Sequence, residues 1–160
     1  MDLYQGTINA NIARFNSETK QSEIDACIQQ CSLQDFIAEL PEQGNTLIGP
    51  DGVMLPGGKK QLVGLARALY CKPKLVLLDE PSSNLDKEGE HALIEAIRQL
   101  KKQSVTTVLI THQKMYLALV DFIIVLINGE IKLSGTAADV LSKLQPAQEI
   151  AKNPADEQLS

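Results

Sequence analysis

The chain is short of positive charge, of cysteine and of long apolar runs. Its 15 Lys and Arg face 20 Asp and Glu, a net charge of −5. That balance argues against a nucleic-acid partner, because phosphate binding wants a basic surface. Cysteine occurs only at Cys27, Cys31 and Cys71. Cys27 and Cys31 share a helix face, but no second pair completes a metal site, and idle thiols in a reducing compartment account for all three. The most apolar region, Leu117 to Ile127, carries Asp121 and falls well short of the ~20 residues a membrane-crossing helix needs. The N-terminus has no basic segment followed by an apolar one, so no signal peptide is expected. A phosphate loop is also missing. The pattern G-x-x-x-x-G-K-[ST], tried at Gly58-Lys59, would need Gly at Val53 and Ser or Thr at Lys60.

What is present is an ordinary globular composition, 44% hydrophobic and 22% charged over 160 residues, enough for one domain with a sizeable core. The organising stretch is Leu75-Val76-Leu77-Leu78-Asp79-Glu80-Pro81. A short apolar run bounded by turn signals suits a buried strand of a parallel sheet, although periodicity alone does not exclude a helix. Asp79 and Glu80 would then emerge at the strand's carboxyl end, where open α/β sheets place ligands. One acid can hold a hydrated Mg²⁺ while the next orients or deprotonates an attacking water. The plainer account is an acidic turn after a core strand, stopped by Pro81.

The neighbouring segments read as an alternation of helices and strands. From Thr7 to about Leu40 the pattern gives short helices, one capped by Ser22 and striped by Ile24, Cys27, Ile28 and Cys31. Residues 44–52 are rich in glycine and turns. Gly57-Gly58 opens a helix carrying Leu62, Leu65, Ala66 and Leu69, and its free backbone N–H groups form an anion site. Asp86 caps a helix from Lys87 to about Lys102, with Leu93, Ile94, Ile97 and Leu100 as its apolar stripe. Val105 to Ile110 is a β-branched strand ending at Thr111-His112, which places His112 at the same sheet edge as the two acids. Phe122 to Leu126 and Ile131 to Leu133 flank Asn128-Gly129 as a hairpin, and Thr136 caps a last helix. The polar tail, 146–160, is expected to be disordered.

Four of these segments, in this order, resemble the ATP-binding cassette family. Leu55-Pro56-Gly57-Gly58-Lys59 resembles its signature motif, Leu75 to Glu80 its Walker B strand, Ser83-Asn84-Leu85-Asp86 its D-loop, and His112 its switch histidine. The likeness is greatest to the exporter cassettes of type I secretion systems, through Leu3-Tyr4-Gln5-Gly6-Thr7-Ile8 and Asn11-Ile12-Ala13-Arg14-Phe15. The signature departs from the family at Pro56, where the family has serine, and at Lys59, where it has glutamine.

The resemblance implies an α/β fold, an incomplete parallel sheet of the P-loop NTPase type with a small helical subdomain. Residues 1–145 would be a partial cassette, with the helical subdomain over about 7–54 and the signature motif onward over 55–145. It implies ATP and Mg²⁺ as cofactors, with Glu80 and His112 catalytic and Asp79 on the metal. Leu55, Pro56, Gly57, Gly58, Lys59, Ser83 and Asp86 would contact nucleotide. The implied partners are a second nucleotide-binding domain, head to tail, and a transmembrane domain. The protein would sit in the cytoplasm against the inner or plasma membrane, touching it only through that partner or a missing segment. Aligned on Gln5-Gly6-Thr7, the chain starts just after the family's Q-loop glutamine, so the phosphate-loop half is absent and hydrolysis by this chain alone is not expected. Two other readings stand beside it. One is a non-catalytic remnant or interaction module. The other, a chromosome-maintenance-type ATPase lobe, is disfavoured because 7–40 holds no long heptad-patterned helix.

Overall fold

The computed structural model describes residues 3–144. The tail expected to be disordered lies outside the described residues. Contacts divide the chain into two compact units, with the boundary after His112.

In the first unit, β3 (Leu75–Asp79) pairs in parallel with β4 (Thr106–Ile110), Leu75 opposite Thr106 and Asp79 opposite Ile110. The crossover between them is α5 (Lys87–Lys102). Its sequence carries every expected device. Asp86 caps it, Glu88 and Glu90 occupy the first turn, and Lys101 and Lys102 the last, each sign matched to the helix dipole. Ala92, Leu93, Ala96, Ile97 and Leu100 are buried as one stripe, and Ile94 at its margin is half-buried.

The strand read from the apolar run forms, and it is buried on one face. Val76 and Leu78 are buried, whereas Leu75 and Leu77 are each 61% exposed. Parallel register puts Leu75, Leu77, Val108 and Ile110 on one face, and that face is exposed throughout. Among the described residues the sheet has two strands and cover on one side only.

Short helices fill the amino-terminal part as expected: α1 (Ile8–Ile12), α2 (Gln21–Gln30) and α3 (Gln34–Ala38). The first two pack on α4 (Gly57–Leu69), which buries Leu62, Val63, Leu65, Ala66 and Leu69. Asn11 is fully buried, and its carboxamide is used throughout. It donates to the Tyr4 and Thr7 carbonyls at 2.9 and 3.0 Å and accepts from the Tyr4 amide at 2.9 Å. Ser22 does not cap α2. Lys20 holds that position with no side-chain bond. The Thr19 hydroxyl, 2.8 Å from the Asn16 carbonyl and 2.6 Å from the Tyr70 hydroxyl, fixes the chain before the helix, which therefore starts ahead of Ser22. A ladder of β1 (Gly6–Thr7) with β2 (Leu47–Ile48) is too short to leave a periodic signal in the sequence.

The second unit contains β5 (Phe122–Ile127) and β6 (Glu130–Thr136), an antiparallel hairpin followed by α6 (Ala137–Leu144). Asn128 and Gly129 turn it with φ of 52° and 78°, the left-handed pair that an Asn-Gly turn supplies. The Thr136 hydroxyl accepts from the Asp139 amide at 3.3 Å, the cap the sequence indicated.

Burial pushes the Cys31 thiol well above its ordinary value, with Cys27 adding to the effect, and burial first, then Cys71, raises Cys27. In the unfolded chain both thiols ionise at the ordinary thiol value of about 8.5. A folded-state pKa raised in this way stabilises fully below that pH and less as pH rises past it. The urea midpoint should therefore fall between about pH 8 and about pH 10, and Cys31→Ala should make that fall shallower. A midpoint whose pH dependence is identical in both proteins would refute the assignment.

Candidate active site

The carboxyl edge of β3 and β4 brings three of the predicted residues together. Asp79 ends β3 with its side chain exposed. The Glu80 amide then donates to the Ile110 carbonyl at 2.9 Å, adding one rung to the ladder. Immediately afterwards the chain turns, because Glu80 has φ of 43°, in the left-handed region that costs a residue with a Cβ about 1–2 kcal/mol. From this turn Glu80 Oε1 reaches His112 Nδ1 at 2.9 Å. His112 is 80% exposed and Glu80 37%. An ionised carboxylate only accepts, so the proton of this bond belongs to Nδ1, and Nε2 keeps a free lone pair. Glu80 Oε2 is enclosed and makes no hydrogen bond.

The loop after Glu80 is tied to the start of α4. Ser83 N–H donates to the Glu80 carbonyl at 3.3 Å, and the Gln61 carboxamide donates to that same carbonyl at 3.2 Å. Gln61 Oε1 in turn accepts from the Asn84 amide at 3.3 Å. Gly58 lies so near the loop that a Cβ there would stand 3.0 Å from the Asn84 carbonyl oxygen. The loop ends at Asp86, whose Oδ1 accepts from Gly89 N–H at 2.8 Å. A cleft of about 370 Å³ results, lined by residues that include Gly57, Gln61, Asp79, Glu80, Ser83 and Asn84.

Other predicted site residues are placed less directly. Leu55 is half-buried and Pro56 is the N-cap of α4, with φ of −54° and no side-chain cap bond. The Lys59 ammonium, read from the sequence as a charge for an anion, stands 5.4 Å from the centroid of the Phe36 ring on α3, a cation–π distance. The Ser83 hydroxyl accepts from the Asn84 side chain at 3.3 Å. Asp86 has one oxygen committed to its cap. Gln61 and Asn84 were not read as site residues. Gln61 follows Gly57 by one helical turn, so the spacing puts the two on one face of α4, and the fold brings that face to the loop.

The sequence model of the family described as ABC transporter matches residues 3–83. Among curated relatives, the type I secretion system ATP-binding protein PrsD of Rhizobium meliloti is 37% identical over 155 residues, covering 97% of this chain and 27% of that protein. A putative export ATP-binding/permease protein of Rickettsia felis is 35% identical over 159 residues, covering 99% of this chain and 27% of the relative. A bacterial Atm1-family ABC exporter solved with ATP bound superposes with a TM-score of 0.79 at 32% identity, covering 98% of this chain and 27% of that one. The chain thus spans about a quarter of the length of these relatives.

The Asp86 cap yields a stability prediction. Asp86→Ala should cost about 1 kcal/mol, within a range of about 0.5–2, by urea denaturation, and Asp86→Asn should recover most of it. Equal losses in both variants would mean that charge rather than the Gly89 hydrogen bond carries the contribution.

Proposed function

The chain belongs to the ATP-binding cassette transporter family, and from that premise we propose that it forms the signature and Walker B portion of an exporter ATPase. In this reading it hydrolyses ATP when a phosphate loop and a second nucleotide-binding domain close on it. The observation that carries the proposal is the 2.9 Å contact between Glu80 and His112 at the carboxyl edge of a parallel strand pair. Glu80 takes the proton of the attacking water as the water oxygen bonds to the γ-phosphorus and the bond to ADP breaks. His112 holds the Glu80 carboxylate through Nδ1 and keeps Nε2 available to water or the γ-phosphate.

Asp79 fits the metal in donor chemistry, since Mg²⁺ takes one or two carboxylates and completes its shell with water and phosphate oxygens. When bound, the ion neutralises charge on the phosphates. Leu55, Pro56, Gly57, Gly58 and Lys59 present the start of α4 to the γ-phosphate of an ATP held by the opposite domain, and Ser83 and Asp86 lie at that head-to-tail interface. A transmembrane partner supplies the membrane contact from the cytoplasmic side. Among the described residues no helix is long and apolar enough to cross a membrane.

One observation favours a second reading, a non-catalytic interaction module. Pro56 gives the start of α4 neither a hydroxyl nor a backbone donor.

Both readings are tested in a chimera where this chain replaces the matching segment of the Rhizobium meliloti relative. Glu80→Gln should lower turnover about 10²–10⁴-fold, the usual contribution of a positioned base, while ATP-driven dimerisation persists. Turnover near the parent rate would remove Glu80 as the base.

In the same chimera Pro56→Ser should raise turnover. A hydrogen bond to a charged group contributes about 1.5–3 kcal/mol, and each 1.4 kcal/mol expressed in the transition state is about tenfold. If the parent chimera shows no turnover and Pro56→Ser does not restore it, the non-catalytic reading holds.

A further inference from the structure

The Gln61 side chain on α4 bonds the loop between β3 and α5 at two backbone groups. We propose that Gln61 is a positioning residue, which fixes the left-handed turn at Glu80 and couples it to the glycine-rich start of α4. Its two hydrogen bonds run to backbone groups on either side of the turn, the Glu80 carbonyl at 3.2 Å and the Asn84 amide at 3.3 Å. The orientation of the carboxamide is unambiguous. A carbonyl oxygen needs a donor and an amide N–H needs an acceptor, so only the arrangement with Nε2 on Glu80 and Oε1 on Asn84 satisfies both.

The local geometry gives this clamp work to do. Glu80 is not glycine, yet it adopts φ of 43°. A residue in that region stays there only where its surroundings over-determine it. The ladder fixes its amide on the Ile110 carbonyl, and Ser83 and Gln61 share its carbonyl. Of these, Gln61 alone belongs to α4, one turn beyond Gly57 and pressed against the loop where Gly58 meets Asn84. A shift of the α4 start, as an anion arriving there would produce, is therefore passed to the backbone that aims the Glu80 carboxylate at His112. The coupling rests on the reading of Glu80 as the base, but it is measured without nucleotide.

The test uses the ¹⁵N-labelled 160-residue chain and compares it with Gln61→Met, of similar volume with neither bond, and Gln61→Glu, which accepts but does not donate. A residue at positive φ has its amide and α protons unusually close, so Glu80 should show a strong intraresidue NOE in the parent. That NOE should weaken in both variants, together with the contacts between Glu80 and His112 side chains. The Asn84 amide should exchange about tenfold faster in Gln61→Met, the contribution of one ordinary hydrogen bond, and stay protected in Gln61→Glu. An unchanged Glu80 NOE and unchanged Asn84 exchange in Gln61→Met would overturn the proposal. So would loss of Asn84 protection in Gln61→Glu equal to that in Gln61→Met. If Gln61→Met does not fold, the Gln61→Glu spectrum decides alone: a Glu80 NOE at parent strength overturns the clamp. Because these readouts involve no turnover, their failure removes the positioning role and leaves Glu80→Gln to decide the hydrolytic reading.

Discussion

The parallel pairing of β3 with β4 sets Asp79 opposite Ile110, and the Glu80 amide adds one further rung on the Ile110 carbonyl. The placement of Glu80 and His112 follows from that register. A slip of one residue would turn every side chain of β3 to the opposite face, exposing Val76 and Leu78 and burying the Asp79 carboxylate. The cost of that exchange protects the site. Val76 and Leu78 are each 3% exposed, and losing the burial of one such side chain costs about 1.5–3 kcal/mol. The carboxylates are thus aimed by hydrophobic burial on the opposite side of the strand.

The contact that defines the site contributes little to holding it. With His112 80% exposed, the Glu80–His112 hydrogen bond is a solvent-exposed contact, and such polar contacts contribute about 0–1 kcal/mol whether or not they carry charge. The left-handed turn at Glu80 costs a comparable or larger amount, about 1–2 kcal/mol. The balance is met by the backbone. The Glu80 amide and carbonyl are both bonded, and α4 approaches the loop as closely as glycine allows at Gly58. A strained, well-supported acid beside an exposed histidine is a geometry that chemistry can use, because the pair is free to exchange partners without unfolding the edge that presents it.

Much of this was legible in the sequence wherever one local rule dominated. Asp86 before Lys87 read as a cap and is one, at 2.8 Å from the Gly89 amide. Asn128-Gly129 read as a hairpin turn, and both residues take positive φ. The apolar run ending in Asp79-Glu80 read as a strand, and its partner strand ends at the histidine. The failures share a cause. Ser22 had the right residue type for a cap, but contacts of Thr19 with Tyr70, distant in sequence, set the helix start. Gln61 and Asn84 are polar residues whose meaning lies in a meeting between α4 and a loop some twenty positions on, and no single-segment pattern encodes that meeting.

The exposed face of the β3–β4 pair is the other departure, and it carries its own argument. Leu75-Val76-Leu77-Leu78 has no polar alternation, although alternation is what a strand with one wet face normally shows. The observed burial nevertheless alternates, with Leu75 and Leu77 exposed and Val76 and Leu78 enclosed. Composition and burial disagree on one face and agree on the other. The same holds on β4, where Val108 and Ile110 sit on the exposed side in register with Leu77 and Asp79. In α/β proteins a parallel sheet is covered on both faces, and only there does an unbroken apolar run carry no solvation penalty. The strand's composition is therefore matched to a covered sheet, and the sequence pattern expresses that match more completely than the burial of Leu75 and Leu77 does. The acids at its end take their positions from the pairing with β4 and from the burial of Val76 and Leu78 on the other face, neither of which involves Leu75 or Leu77 side chains.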